Sequence, residues 1–130
     1  MATVKKNSDA KNSTSETLVM YHKPNCSTSL EVLRLIKKKK VKNLQLIHYL
    51  ETPPTATQLK KLLKLLKLKA EDIVRKKERI YKENFADKNL TEDEWIKVIC
   101  ENPILMERPI LVKGKKAIIA RPIERVNEII

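Results

Sequence analysis

Short apolar runs and segments of helical period follow one another here in the order strand, helix, strand, helices, strand, strand, helix, which narrows the possible architectures more than any other feature of the chain. Leu18, Val19, Met20 and Tyr21 form a run of buried-strand length that stops at a Lys23-Pro24-Asn25 loop. A helix begins near Ser27, with Leu30, Leu33 and Ile36 at helical spacing and Lys37 to Lys40 at its C-terminal end, where cations complement the helix dipole. Leu44 to Leu50 reads as a second strand, cut off by Pro53 and Pro54. From Thr55 to Leu66, residues Leu59, Leu62, Leu63 and Leu66 share one stripe with lysines opposite, the pattern of an amphipathic helix. A short helix is expected over Ala70 to Lys77, with Ile73 and Val74 as its apolar contacts. Another is expected over Thr91 to Cys100, where Thr91 and Glu94 make a capping box and Trp95, Ile96 and Ile99 supply the buried face. Pro109 to Val112 and Ala117 to Ala120 then read as a hairpin turning at Gly114, the only glycine in the chain. Pro122 is placed to open a final helix at its first position, where a missing N–H costs little.

A βα unit feeding a second strand, then helices, then a hairpin and a terminal helix, is the order of a thioredoxin-like α/β domain. It implies a mixed sheet flanked by helices, with a helical insertion. Residues 17–130 are expected to make up that domain. Residues 1–16 are rich in Ser, Thr, Asn and Lys, have few aliphatic side chains to bury, and are expected to form a disordered tail. No apolar run approaches the roughly 18 residues a spanning helix needs, and the N-terminus lacks the apolar core of a secretory signal. A cytoplasmic location without membrane attachment is therefore expected. Two cysteines are too few for a disulfide scaffold, and with two histidines they show no zinc spacing. The net charge of +12 admits nucleic acid, an anionic surface or a small oxyanion as partner, and does not choose among them. Five aromatic residues and no base-stacking module speak against nucleic acid.

The chemistry concentrates at the junction of the first strand and first helix, His22-Lys23-Pro24-Asn25-Cys26-Ser27-Thr28-Ser29. A cysteine there faces unpaired helix N–H groups that favour the thiolate, and Lys23 or a protonated His22 would push the same way. The bland alternative is a small buried cysteine, but apolar cores rarely place one in a Pro/Asn/Ser loop. With Ser29 at the fourth position of the motif that Cys26 opens, there is no C-x-x-C and no internal dithiol cycle. Ser29 either bonds the thiolate or a substrate oxygen, or caps the helix. Arg75, Arg108 and Arg121 stand apart from the lysine-rich helix faces, and their guanidinium forks suit tetrahedral oxyanions if they converge on Cys26; otherwise they are surface charge. Cys100 and His48 are expected to be structural. The Leu/Lys helix is expected to face the core rather than a membrane or partner.

Five collinear blocks then carry a resemblance: His22-x-x-x-Cys26-x-x-Ser29, Tyr49-Leu50-Glu51-Thr52-Pro53-Pro54-Thr55, Val74-Arg75-Lys76-Lys77, Asn102 to Ile110, and Ala120-Arg121-Pro122. Together they resemble the glutaredoxin-coupled arsenate reductases of the ArsC family, over most of residues 18–126. The resemblance implies a thioredoxin-like fold, Cys26 as nucleophile, and His22 and Ser29 as groups that keep its thiolate. It also implies Arg75, Arg108 and Arg121 as the oxyanion site and Arg108-Pro109 as the cis-proline position. Arsenate would be the substrate, glutathione the co-substrate, and glutaredoxin the partner that resolves the mixed disulfide, in arsenic detoxification by a monomer with no bound cofactor. The chain departs from the family pattern at Ser27 and Leu30, where the reductases commonly carry Gly and Arg. The competing expectations are a glutathione-dependent thiol reductase of another substrate and a non-enzymatic regulator of the Spx type, in which C-x-x-C is usual.

Overall fold

A computed structural model describes residues 17–130, so the expected tail of residues 1–16 lies outside the described residues. Four strands form one mixed sheet: β1 (Leu18–His22), β2 (Leu44–His48), β3 (Ile110–Lys113) and β4 (Lys116–Ile119), in the order β2-β1-β3-β4. The first two pair in parallel, with Leu18 opposite Leu44 and His22 opposite His48. On its other side β1 meets β3 antiparallel, Tyr21 opposite Ile110, and β3 continues antiparallel into β4. A parallel pair needs a crossover, and helix α1 (Ser27–Lys38) supplies it.

The period of two along β1 sends Leu18, Met20 and His22 to one face and Val19 and Tyr21 to the other. Leu18 and Met20 pack on Val32 and Ile36 of α1, with Leu111, Ile118 and Val126 completing that core. The opposite face is covered by the insertion between β2 and β3, built from α2 (Ala56–Leu66), α3 (Arg79–Asn84) and α4 (Glu92–Glu101). Leu59, Leu62 and Leu63 of α2 and Trp95, Ile96 and Ile99 of α4 meet Tyr49, Ile73 and Met106 there. This is the thioredoxin-like α/β arrangement with a helical insertion that the segment order implied.

Local chemistry explains most boundaries. Capping boxes form at Thr55/Gln58 and Thr91/Glu94, each satisfying two orphan donors. Gly114 takes φ 60° in the two-residue hairpin loop, where positive φ at the first central position suits a primed turn. Three expectations fail. The second strand stops at His48, because Glu51 and Thr52 donate their N–H groups back to the His48 carbonyl in a turn. The final helix is a 3₁₀ segment, Ile123–Glu128, with Pro122 at its N-cap in extended conformation rather than at its first position.

The third failure matters most for function. The helix expected over Ala70 to Lys77 ends at Ile73 as one 3₁₀ turn. Beyond it the backbone pairs with a distant segment: Arg75 N–H donates to the Leu105 carbonyl at 2.7 Å and Glu107 N–H to that of Ile73 at 2.9 Å, around a Val74–Met106 bridge. Ile73 and Val74 are both buried, which an extended bridge between two packed segments allows. Its effect is to fix Arg75 beside Glu107 and Arg108.

Candidate active site

The site sits where β1 hands over to α1. Cys26 is the N-cap residue of α1, and its carbonyl accepts the first helical bond, from Leu30 N–H at 3.0 Å. Burial raises the Cys26 thiol, but the Ser29 N–H, the hydrogen bond and charge of Arg108, and the Thr28 N–H outweigh it and bring the thiol down to about 7. The groups that favour the thiolate are the helix N-terminus and Arg108, and neither Lys23 nor His22 is among them. Ser29 is fully buried, and its hydroxyl accepts from Lys23 N–H at 3.5 Å, which closes the loop; its contribution to the sulfur comes from its backbone N–H.

His22 departs from expectation. It ends β1, is buried, and its Nδ1 has no hydrogen-bond partner among the described residues. Burial, then the charge of His48, 5.7 Å away ring to ring, lowers its pKa, so the imidazole is neutral near pH 7. It is not among the groups that lower the Cys26 thiol. A protonated His22 cannot be the cation beside the sulfur because the fold removes it from water and sets a second imidazole against it.

The three arginines arrive from three directions. Arg108, before the cis Arg108–Pro109 bond, is 7% exposed and hydrogen-bonds the Cys26 sulfur; its Nη1 also donates to the Ile104 carbonyl at 3.4 Å. Arg121, before a second cis bond to Pro122, donates from Nε to the Arg108 carbonyl at 2.7 Å and points Nη2 at Cys26 Sγ, 3.9 Å away. Arg75 has no contact with the sulfur. It is held by Glu78, Nε to Oε2 at 3.3 Å, and by Glu107, Nη1 to Oε1 at 2.9 Å. An open groove of about 730 Å³ runs past Arg121, Glu107, Arg75, Lys76 and Lys77. Cys26, Arg108 and Arg121 are therefore brought together directly, with Arg75 one carboxylate away.

Sequence reasoning missed three members of this site. Glu78 and Glu107 carry a faint signal, one being three residues after Arg75 and the other adjacent to Arg108. Tyr49, within the second resembling block, is fully buried beside the Arg108 guanidinium, and burial pushes its hydroxyl up to about 12. The second cysteine differs from the first: burial and then Glu101 raise the Cys100 thiol. Among the described residues no group of three or more His, Cys, Asp or Glu is placed to hold a metal, and no helix is long and apolar enough to cross a membrane.

Comparison with known proteins places the chain in a family. Residues 21–129 match the ArsC family. The uncharacterized protein YfgD of Escherichia coli (strain K12) is 47% identical over 113 residues, covering 85% of this chain and 94% of that protein. An arsenate reductase of the same strain is 36% identical over 114 residues, covering 87% of this chain and 80% of the reductase. The solved structure of an arsenate reductase from Vibrio cholerae superimposes with a TM-score of 0.82 at 40% identity, covering 88% of this chain and 98% of that one. On the family match and on these relatives, the chain belongs to the ArsC family.

Proposed function

We infer that the chain reduces arsenate to arsenite, with Cys26 as nucleophile and with glutathione and glutaredoxin as the source of electrons. The observation that carries this reading is a sulfur lowered to about 7 with the guanidinium groups of Arg108 and Arg121 turned towards it. A thiolate next to two planar bidentate donors suits attack on a tetrahedral oxyanion, whose charge the arginines offset as the new bond forms.

The Cys26 thiolate attacks arsenic, an arsenate oxygen leaves as water, and an S–As bond forms. A glutathione thiolate then attacks the Cys26 sulfur. The S–As bond breaks, its electron pair stays on arsenic, and arsenite departs, leaving Cys26 in a mixed disulfide with glutathione. A glutaredoxin thiolate attacks the glutathione sulfur and returns Cys26 as the thiolate. An external thiol is called for because Ser29 stands where a second active-site cysteine would be, and Cys26 and Cys100 are both free. The same reading places the protein in the cytoplasm as a monomer with no bound cofactor.

NADPH oxidation in a mixture of purified protein, arsenate, glutathione, glutaredoxin and glutathione reductase tests substrate and reductant together. Arsenate-dependent oxidation that disappears when glutathione or glutaredoxin is omitted is expected. No arsenate dependence with all components present would overturn the reading.

A further inference from the structure

The arginines are already linked by protein carboxylates. One oxygen of Glu107, Oε1, lies 2.9 Å from Arg75 Nη1 and 4.0 Å from Arg121 Nε. One oxygen of Glu78, Oε2, lies 3.3 Å from Arg75 Nε and 3.6 Å from Arg108 Nη1. The result is a chain, Arg121–Glu107–Arg75–Glu78–Arg108, in which each carboxylate oxygen sits between two guanidinium groups. Oxygens of a bound oxyanion would seek the same positions.

The two carboxylates differ in access. Glu107, Arg75 and Arg121 all line the open groove, whereas Glu78 and Arg108 do not. An anion arriving through the groove therefore meets Arg75 and Arg121 with the Glu107 carboxylate in place between them. Arg75 has its Nε on one carboxylate and its Nη1 on the other, so it cannot turn its fork to a ligand without losing a protein partner. Glu71, Asp72, Lys76 and Lys77 line the same groove; Lys76 is already paired with Glu71, Nζ to Oε2 at 3.4 Å, so Lys77 is the cation towards which the Glu107 side chain can swing.

We propose that Glu107 is an internal competitor for the oxyanion: its carboxylate fills the place between Arg75 and Arg121, and a substrate anion must displace it to engage both arginines. Glu107 is a positioning residue that sets oxyanion affinity without touching the sulfur. The proposal rests on the oxyanion-binding reading of the site, and it concerns binding and not the chemical step.

Glu107→Gln keeps the shape of the side chain and removes its charge. Sulfate is the probe, a tetrahedral dianion that cannot be reduced here, and the readout is its protection of Cys26 from alkylation by iodoacetamide. Cys100 is followed separately by mass spectrometry. The half-protecting sulfate concentration should fall about 3- to 10-fold in Glu107→Gln, as expected for releasing a partly exposed ion pair and its repulsion of the ligand. In the coupled assay the KM for arsenate should fall by a similar factor with kcat within about twofold, and Glu107→Asp, which keeps the charge, should stay close to wild type. A general structural role for Glu107 would move the melting temperature and kcat and would not tighten sulfate binding. If sulfate protects the wild type and its affinity is unchanged or weaker in Glu107→Gln, the proposal is overturned while the oxyanion reading stands. If sulfate and arsenate protect neither protein, the oxyanion reading fails and the proposal with it.

Discussion

Replacing Arg108 by alanine should return the Cys26 sulfur towards the reactivity of an ordinary thiol, and the size of the change follows from the site. With the thiol at about 7, roughly a tenth of Cys26 is thiolate at pH 6, against well under 1% for an unperturbed cysteine. The lowering has two sources: the Ser29 and Thr28 N–H groups of the helix N-terminus, and the hydrogen bond and charge of Arg108. Arg108→Ala deletes the second and leaves the first. A close cation typically moves a titrating partner by about 1 to 3 pH units, and the alanine also lets in water, so the lower end applies. The thiolate fraction at pH 6, and with it the rate of iodoacetamide alkylation, should fall about tenfold. The inflection of the rate against pH should move upward, since the group removed favours the charged form. The measurement is the alkylation rate of Cys26 by mass spectrometry from pH 5 to pH 9, with circular dichroism confirming the fold. Because Arg108 is nearly buried, Arg108→Lys serves as a second variant that keeps the charge and should lie between the other two. An inflection unchanged in a folded Arg108→Ala protein would refute the reasoning and leave the helix terminus and Arg121 as the groups acting on the sulfur.

Cys26 should be alkylated many times faster than Cys100 at pH 6, because one thiol is lowered and the other raised; equal rates would remove the basis for an activated Cys26. His22→Gln should leave the alkylation profile of Cys26 close to wild type, since the buried imidazole is neutral near pH 7 and packs against His48, and it is not among the groups that lower the sulfur; an upward move like that of Arg108→Ala would restore the cationic role expected from the sequence. Thr91→Ala should cost about 1 kcal/mol by deleting one half of the α4 capping box, read as a lowered denaturation midpoint with an unchanged slope. Ile73→Ala, which empties a fully buried position under the 73–75 bridge, should cost about 2 to 5 kcal/mol in the same measurement.

What could be read in advance was local, and what could not depended on segments far apart in the chain. The apolar strand runs, the Thr91/Glu94 capping box, the Gly114 turn and the placing of Cys26 at a helix N-terminus each depend on a few neighbouring residues, and these are visible in the letters themselves. The pairing of residues 73–75 with 105–107 is not, because the helical tendency of Ala70 to Lys77 is overruled by backbone bonds to a segment some 30 positions away. That pairing positions Arg75, so the reach of the arginine from Cys26 could not be judged without the fold. α3 was missed for a related reason: it is six residues long and has no fully buried side chain, and Tyr81 is anchored by stacking on Trp95 at 6.2 Å. The sequence neighbours of His22, Tyr21 and Lys23, give no hint that the ring is buried against His48. Glu78 and Glu107 gain a role only from the arginines they bridge, which come from separate segments of the chain.

The central claim is that one sulfur, Cys26, performs the reduction. The direct test compares Cys26→Ser with Cys100→Ser in the coupled NADPH assay with arsenate, glutathione and glutaredoxin. The account predicts that Cys26→Ser loses all arsenate-dependent oxidation while Cys100→Ser keeps the wild-type rate. Arsenate-dependent oxidation persisting in a folded Cys26→Ser protein would contradict it.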